Sequence, residues 1–240
     1  LGTYFFRVNV TRPPLDNRLV RRALAMSIDR QAIVERVWRG GQVPAAFFTP
    51  PDTAGYTSAS SIPYDPAQAR KLLAQAGYPD GRGLPSIDIL FNTSENHKLT
   101  AEAVQQMWRA NLGADVTLTN QEEKVYFEAR ARMAYQIYRS TWIGDYIDPN
   151  SFLDLWITGG TNNVTGWSNP EYDRLIAAAG ETSDQAQRYD AFQRAEAILL
   201  EEAPILPVFF YTHAFLIYPS VQGWNPTILD HHPYKFVSLE

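Results

Sequence analysis

The residues best suited to chemistry lie between positions 138 and 149, where two aspartates stand beside two large aromatic side chains. Asp145 and Asp148 follow a strand-like segment that ends near Trp142, and Tyr146 lies between them. Loops at strand ends in α/β sheets are common ligand sites because they are free to diverge. A carboxylate framed by aromatic rings suits an ammonium group, which gains an ion pair and contact with a ring face. Asp145 is therefore a candidate for binding a cationic group.

Two other roles for this aspartate pair stay open. Asp148 precedes Pro149 and suits the N-cap of a helix that begins there. Asp145 and Asp148 could also act as an acid and base pair, as in a glycosidase. Only three positions separate them, and no buried partner that would raise one pKa can be identified, so hydrolysis is the weaker hypothesis. The motifs G-x-S-x-G, Walker, H-E-x-x-H and G-x-G-x-x-G are all missing from the sequence, and we expect no cofactor and no enzyme activity.

Three arginines flank the same region. Guanidinium groups bind carboxylates through two parallel hydrogen bonds, so an arginine near Asp145 would make a site that is polar at both ends. Arg130 and Arg132 could equally be solvated helix residues paired with nearby glutamates. Arg139 lies within an apolar strand, where an unpaired charge is expensive. Arg139 therefore needs an acidic partner, supplied either by the protein or by a ligand.

The four histidines carry weaker signals. His97 follows a strand end and starts a helix, so it either lines the same edge of the sheet or has no special role. His213 falls in an apolar run and is expected to be a buried core residue. His231 and His232 could bind a metal ion, but the signal is weak and we predict no metal site.

Alternating strand and helix patterns must position these side chains. The central part of the chain predicts a strand at 86–91, a helix at 96–112, a strand around 116–118, a helix at 122–133 and a strand at 135–142. This order indicates an α/β sheet covered by helices. Caps and apolar periodicity predict further helices near 16–26, 29–39, 65–76, 149–156, 169–180 and 183–202, and a buried strand at 204–211.

Composition excludes several classes of protein. The chain has 240 residues, of which 45% are hydrophobic and 20% charged, as in a typical globular protein. No apolar run approaches the roughly 20 residues that cross a bilayer. A net charge of −5 gives no general basic field for nucleic acid, and zero cysteines exclude disulfides, thiol catalysis and cysteine-ligated zinc.

Several segments resemble a known family. The opening run FRVNVTRPPLDNRLVRRALAMSIDR at 6–30 resembles the peptide-binding proteins of ABC transporters, the extracellular solute-binding proteins of family 5. The resemblance continues through TPP (49–51), ARKLLAQAGY (69–78), LFNTS (90–94), WIGDYIDPNSF (142–152) and APILPV (203–208). It extends over nearly the whole chain, but what resembles the family is its C-terminal half.

This resemblance implies one lobe of a two-lobed receptor that closes on its ligand, with the periplasmic-binding-protein-like (type II) fold, a mixed sheet flanked by helices. Residues 11–218 would form the C-terminal ligand-binding lobe. Residues 1–10 would be a strand of the hinge or first lobe, and residues 219–240 would return to it. The chain starts within a strand, and no signal segment precedes it, so we expect a fragment of a longer receptor.

The resemblance also implies roles for particular residues. By analogy with family members, Asp145 holds the α-ammonium group of a bound peptide beside Trp142, whereas two arginines and a histidine receive peptide carboxylates. Glu123 stands where the best-known oligopeptide binder has a pocket tryptophan, which leaves the side-chain preference open. The predicted ligand-binding residues are Asp145, Arg139, Trp142, His97, Arg130 and Tyr146.

The expected function is peptide capture for import, outside the cytoplasm in the periplasm or at the cell surface. The expected partners are a peptide, the membrane permease subunits of an ABC transporter and the missing N-terminal lobe, and no nucleic acid. One alternative keeps the transport class but replaces the peptide with a nickel complex, haem, an opine or an oligosaccharide. The other is a hydrolase that uses Asp145 and Asp148.

Overall fold

A six-stranded sheet carries the segment with the predicted site. The computed structural model describes residues 1–225 and 227–240. The strands are β1 (Gly2–Val8), β2 (Val43–Pro44), β3 (Ile87–Asn92), β4 (Val116–Gln121), β5 (Ile137–Ile143) and β6 (Ile205–Phe210). Their order across the sheet is β2-β6-β1-β5-β3-β4.

Eight α-helices are found in the described residues, near the positions that caps and periodicity predict. They are α1 (Arg18–Met26), α2 (Arg30–Ile33), α3 (Pro66–Gln75), α4 (Glu95–Leu112), α5 (Glu123–Ala131), α6 (Asn150–Leu153), α7 (Pro170–Glu181) and α8 (Gln185–Glu202). The Asp65 carboxylate accepts the Gln68 N–H at the start of α3. The Asn169 side chain likewise accepts the Glu171 and Tyr172 N–H groups at the start of α7. Gly113 ends α4 with φ 66°, a left-handed conformation that glycine adopts without steric penalty.

The sheet is mixed, as expected. β1 pairs antiparallel with both β5 and β6, whereas β3 pairs parallel with β4 and β5. Helix α4 connects β3 to β4 and α5 connects β4 to β5, which is the arrangement that parallel strands require. The carboxyl ends of β3, β4 and β5 therefore lie at one edge of the sheet, where the candidate residues follow them.

The sheet separates two apolar cores. Tyr4 and Phe6 of β1 face a core that includes Trp108 of α4 and residues of α1 and α3. Phe5, between them, faces a second core that includes Trp156 and residues of α6, α7 and α8. All seven residues of β1 are buried, because helices cover both faces of this central strand.

The expectation for His213 needs correction, whereas the expected assignment of residues 1–10 stays a prediction. Residues 2–8 form the central strand of this sheet. His213 lies beyond the end of β6, is half exposed and pairs with Asp230 through a Nδ1–Oδ2 contact of 3.2 Å, because the strand stops at Phe210. Near the end of the chain, Tyr234–Phe236 form a single helical turn.

A second, two-stranded sheet follows near the end of the described chain. Its strands are β7 (Val221–Gln222) and β8 (Ser238–Leu239). The wider division of the chain at residue 218 stays a prediction. None of the described helices combines the length and the apolar character needed to cross a membrane.

Candidate functional site

The loop after β5 is held in place by one serine. The Trp142 indole N–H donates to the Ser151 carbonyl at 2.6 Å, and the Ser151 hydroxyl accepts the Asp145 N–H at 2.9 Å. Gly144 is packed so closely that a Cβ atom would lie 2.9 Å from the Phe152 ring. This glycine and the buried serine therefore fix where the Asp145 side chain leaves the backbone.

The two aspartates of this loop have different partners. The Asp148 carboxylate forms two hydrogen bonds with the Arg188 guanidinium, of 2.6 and 2.7 Å, and accepts the Asn150 N–H at the start of α6. The helix begins one residue later than predicted, with Pro149 rather than Asp148 at its N-cap, although Asp148 still accepts the first N–H group of α6. Asp145 is exposed, and within the described residues its carboxylate has neither an ion pair nor a hydrogen bond. Its charge is available to a ligand.

A second acidic residue lies near this free carboxylate. Burial, together with the negative charge of Asp145, raises the pKa of Asp154. Asn150 donates to the Asp154 carboxylate at 3.2 Å and to the Tyr146 hydroxyl at 3.0 Å, which links the two sides of the loop. This end of the site is therefore negative and bordered by a half-exposed tyrosine.

Arg139 has no carboxylate partner among the described residues. Its Nη2 atom donates to the Thr141 hydroxyl at 3.2 Å and to the Tyr211 hydroxyl at 3.3 Å, and its guanidinium lies 4.7 Å from the centre of the Tyr4 ring. Its Nε atom is buried and has no hydrogen-bond partner. The acidic partner that the sequence requires is therefore not supplied by the described part of the protein.

His97 lies close to the same arginine. It is the third residue of α4, and its ring centre lies 5.7 Å from that of Tyr4. Burial, together with the positive charge of Arg139, lowers the pKa of His97 to about 4. The positive end of the α4 dipole also opposes protonation. His97 is neutral at pH 7, and its buried Nδ1 atom has no hydrogen-bond partner in the described structure.

Arg130 and Arg139 line one small pocket of about 160 Å³ on the side of β5 that faces α5. Behind it, Arg7 is 1% exposed, donates to the Ser140 hydroxyl and lies 4.7 Å from the Trp156 ring centre. Burial and the charge of Arg130 lower the pKa of Arg7 to about 10, so Arg7 remains charged at neutral pH. This end of the site is therefore positive.

Between the two charged ends, β5 has an unpaired edge. β3 pairs with β5 only at Ile137 and Tyr138. The Gly144 N–H donates to the carbonyl of Leu1, just before β1, so the even-numbered residues of β5 point their backbone groups toward β1. The backbone groups of the odd-numbered residues therefore point away from β1. Beyond Arg139, no other strand in the described part of the chain borders these groups.

The structure brings the six predicted site residues into two groups. Arg139, His97 and Arg130 lie at the positive end, whereas the other three surround the loop after β5. Arg139 and Trp142 project from opposite faces of the sheet, because side chains alternate along a strand. Glu123, the residue that departs from the family, is exposed at the start of α5 and does not line the pocket with Arg139.

Sequence reasoning missed several residues of the site. Tyr4 of β1 and Tyr211, just after β6, contact Arg139 from distant parts of the chain, and no local pattern identifies them. Asp154 and Ser151 lie within the helix predicted near 149–156, but their roles depend on how this segment packs against the loop after β5. Within the described residues, no cluster of three or more histidine, aspartate or glutamate side chains could hold a metal ion.

The mixed sheet with helices on both faces defines an α/β lobe, and comparison with known proteins identifies its family. The chain belongs to the bacterial extracellular solute-binding proteins of family 5, since the family model described as "Bacterial extracellular solute-binding proteins, family 5 Middle" matches residues 1–164. The resemblance that the sequence motifs indicate is therefore confirmed.

Individual relatives agree with this assignment. The chain is 40% identical over 231 residues to the periplasmic murein peptide-binding protein MppA of Escherichia coli, covering 93% of this chain and 43% of that protein. It is 36% identical over 230 residues to the oligopeptide-binding protein OppA of Bacillus subtilis, covering 92% of this chain and 42% of that protein. The chain spans less than half the length of these relatives.

A solved structure gives the same answer for the fold. The murein tripeptide-binding protein MppA of Escherichia coli superposes with a TM-score of 0.88 at 37% sequence identity. The match covers 100% of this chain and 48% of that one. The predicted fold, a lobe of the periplasmic-binding-protein type with a mixed sheet, is confirmed.

Proposed function

We propose that this chain is the C-terminal lobe of a receptor that captures peptides outside the cytoplasm and delivers them to the permease of an ABC importer. In this proposal the peptide amino terminus binds Asp145, and the peptide carboxylate binds Arg139, with His97 and Arg130 beside it. The missing N-terminal lobe closes over the peptide and excludes water. Residues 11–218 would form most of the lobe, and residues 219–240 would return to the first lobe.

One observation carries this proposal: a free carboxylate and a free guanidinium lie at opposite ends of an unpaired strand edge. A peptide in extended conformation has an ammonium group at one end, a carboxylate at the other and backbone groups that pair with a strand edge. Asp145 follows the carboxyl end of β5, so the bound peptide would run antiparallel to β5. Backbone pairing also explains how one site accepts different side chains.

The spacing of the charges sets an approximate ligand length. Arg139 and Asp145 are six positions apart, or about 20 Å in extended chain. The Arg139 guanidinium reaches along β5 to the Thr141 hydroxyl, which shortens the distance to be bridged. In an antiparallel register with residue 1 opposite Gly144, beside Asp145, residue 2 lies opposite Ile143 and residue 4 opposite Thr141. A tetrapeptide therefore places its carboxylate beside Arg139.

Binding without chemistry fits the site better than hydrolysis. Arg188 occupies the carboxylate of Asp148, so Asp148 is poorly placed to exchange a proton with a substrate. Nickel complexes, haem and neutral sugars would leave at least one of the two charged ends unpaired, which disfavours them. Opines carry both charges, but they are too short to bridge the two ends.

The test uses the complete receptor, freed of endogenous ligand, and calorimetry with tetraalanine. Asp145→Asn should weaken binding at least tenfold, because a charged hydrogen bond is worth about 1.5–3 kcal/mol. Asp190→Asn, which changes an exposed aspartate of α8, is the matched control and should bind as the wild type does. N-acetylation of the peptide should reproduce the Asp145→Asn effect and should have little further effect in that variant.

Two results would contradict the proposal. One is equal affinity of the wild type and Asp145→Asn for tetraalanine. The other is a thermal-shift screen in which a nickel complex, haem, an opine or an oligosaccharide stabilises the receptor while oligoalanine peptides of two to six residues do not.

A further inference from the structure

The unpaired edge of β5 is closed at one end by a side chain. The Tyr126 hydroxyl, from α5, donates a short hydrogen bond to the backbone carbonyl of Arg139. This carbonyl belongs to an odd-numbered residue, so it points to the same side as those of Thr141 and Ile143. The Tyr126 hydroxyl thus occupies the first backbone acceptor of this edge, and the carbonyls of Thr141 and Ile143 are the next two acceptors.

Tyr126 is held firmly in this position. It is 2% exposed, and its ring stacks on Tyr138 with centres 4.0 Å apart and an interplanar angle of 17°. Its hydroxyl remains a donor at neutral pH, because burial raises the pKa of Tyr126 far above its ordinary value. An incoming peptide would therefore have to break a buried hydrogen bond before it could pair with the Arg139 carbonyl.

We propose that Tyr126 sets the end of the peptide register, by capping the Arg139 carbonyl so that backbone pairing stops at Thr141. This inference rests on the proposed peptide function and names a residue that limits ligand length. Pairing residues of an antiparallel ladder recur every second position. In a peptide whose fourth residue lies opposite Thr141, the sixth residue would therefore lie opposite Arg139 and could pair with its carbonyl.

Tyr126 acts on the ligand through the carbonyl of Arg139, so it is a positioning residue. Its removal should favour longer peptides selectively and should leave tetrapeptides largely unaffected. A general weakening of the fold would instead change the affinity for both lengths by the same factor. The ratio of the two dissociation constants therefore separates the two explanations.

The experiment compares tetraalanine and hexaalanine on the complete receptor by calorimetry. In Tyr126→Phe the affinity for hexaalanine relative to tetraalanine should rise about threefold to tenfold, the range that one neutral hydrogen bond provides. Tyr138→Phe is the matched control, since it removes a hydroxyl from the same stacked pair but not from the β5 edge. In that variant the ratio should stay within about twofold of wild type.

A modified ligand gives a second readout. Hexaalanine that is N-methylated at its sixth residue lacks the N–H that would reach the Arg139 carbonyl. It should bind the wild type as well as unmodified hexaalanine does, and it should lose the gain seen in Tyr126→Phe. The comparison of the two hexapeptides on the wild type tests the inference even if Tyr126→Phe does not fold.

Three outcomes would overturn the inference. They are an unchanged ratio in Tyr126→Phe, an equal change in Tyr138→Phe, and weaker wild-type binding of the methylated hexapeptide. In each of these cases tetraalanine still binds, so the proposed function survives. If the wild type binds neither peptide, both the proposed function and this inference fail.

Discussion

Arg188 binds Asp148 through both of its terminal nitrogens, at 2.6 and 2.7 Å, and so it neutralises one of the two aspartates in the loop after β5. Asp145, three positions earlier, has no such partner among the described residues. Arg188 is itself fixed, because its Nε atom donates to the Ala179 carbonyl and its guanidinium lies against the Phe192 ring. One aspartate therefore joins the loop to α8, and the other keeps a free carboxylate, to which we propose that the ligand binds.

The two aspartates should respond differently to the same substitution. Asp148→Asn should lower the free energy of unfolding by about 1–2 kcal/mol, because it leaves Arg188 without its counter-charge in a partly solvated position. Asp145→Asn should leave the free energy of unfolding unchanged within about 0.5 kcal/mol. Denaturant unfolding measures the stability of each variant, and calorimetry with tetraalanine measures its peptide binding. Equal loss of stability in the two variants would contradict this division of roles.

The titration of His97 should depend on the ligand. Without ligand, burial and the charge of Arg139 lower the pKa of His97 to about 4, so the ring should stay neutral down to about pH 5. A carboxylate that binds Arg139 would stabilise the protonated ring, and the pKa of His97 should rise. Proton NMR of the imidazole, with and without tetraalanine, measures both values. Tetraalaninamide, which lacks the terminal carboxylate, is the control and should produce a much smaller rise.

The effect of His97 on stability has a defined sign. A histidine whose pKa is lowered by folding takes up a proton more readily when the chain is unfolded. Its neutral form therefore supports the fold above pH 6.5, and this contribution is lost as the pH falls from 6.5 toward 4. Replacing His97 with asparagine should flatten the acid side of the stability profile, which thermal unfolding between pH 4 and pH 7 measures. A profile as steep as that of the wild type would contradict the assignment.

Most of the fold could be predicted from the sequence because its signals are local. Asp65 followed by proline, and Asn169 followed by proline, mark helix starts within two positions, and Gly113 marks a helix end. The prediction for His213 was wrong for a local reason as well. Apolar residues continue past Phe210, and nothing in the pattern shows that the strand stops there.

The site was only partly predictable because its contacts are distant in sequence. Asp145 and Arg139 have residue types that identify them as candidates wherever they fold. Whether an aspartate is free depends on Arg188, which is 40 positions from Asp148. The environment of Arg139 depends likewise on Tyr4, near the start of the chain. Only the order of the strands in the sheet brings Tyr4 close to Arg139.

Gly144 should be needed for the position of Asp145. A Cβ atom at this residue would lie 2.9 Å from the Phe152 ring and 3.0 Å from the Leu1 side chain, so Gly144→Ala must displace the loop or the core. We expect a loss of about 1–3 kcal/mol in the free energy of unfolding, as for other overpacked sites. Tetraalanine affinity should also fall, since Asp145 is the next residue. Gly180→Ala, at an open position of α7, should be close to neutral in both measurements.

Glu196 should make stability depend on pH in a direction opposite to that of most carboxylates. It is fully buried in α8, its Oε1 atom accepts the Phe48 and Thr49 N–H groups, and its Oε2 atom accepts the Tyr56 hydroxyl. Burial raises the pKa of Glu196 above 4.5, although these hydrogen bonds lower it in part. Glu196→Ala should cost about 3 kcal/mol or more, because it opens a cavity and leaves three buried donors unpaired.

Glu196→Gln is the variant that isolates the charge, because its amide can accept both N–H groups through oxygen and donate to the Tyr56 hydroxyl through nitrogen. A raised pKa means that the folded protein holds this proton more tightly than the unfolded chain does. The stabilising contribution of the wild-type carboxyl is therefore complete below pH 4.5 and is lost as the pH rises through the folded-state pKa. The unfolding free energy of the wild type minus that of Glu196→Gln should therefore decline between pH 4.5 and pH 7. Denaturant unfolding across this range measures the difference, and a difference that grows with pH would show that the hydrogen bonds outweigh burial.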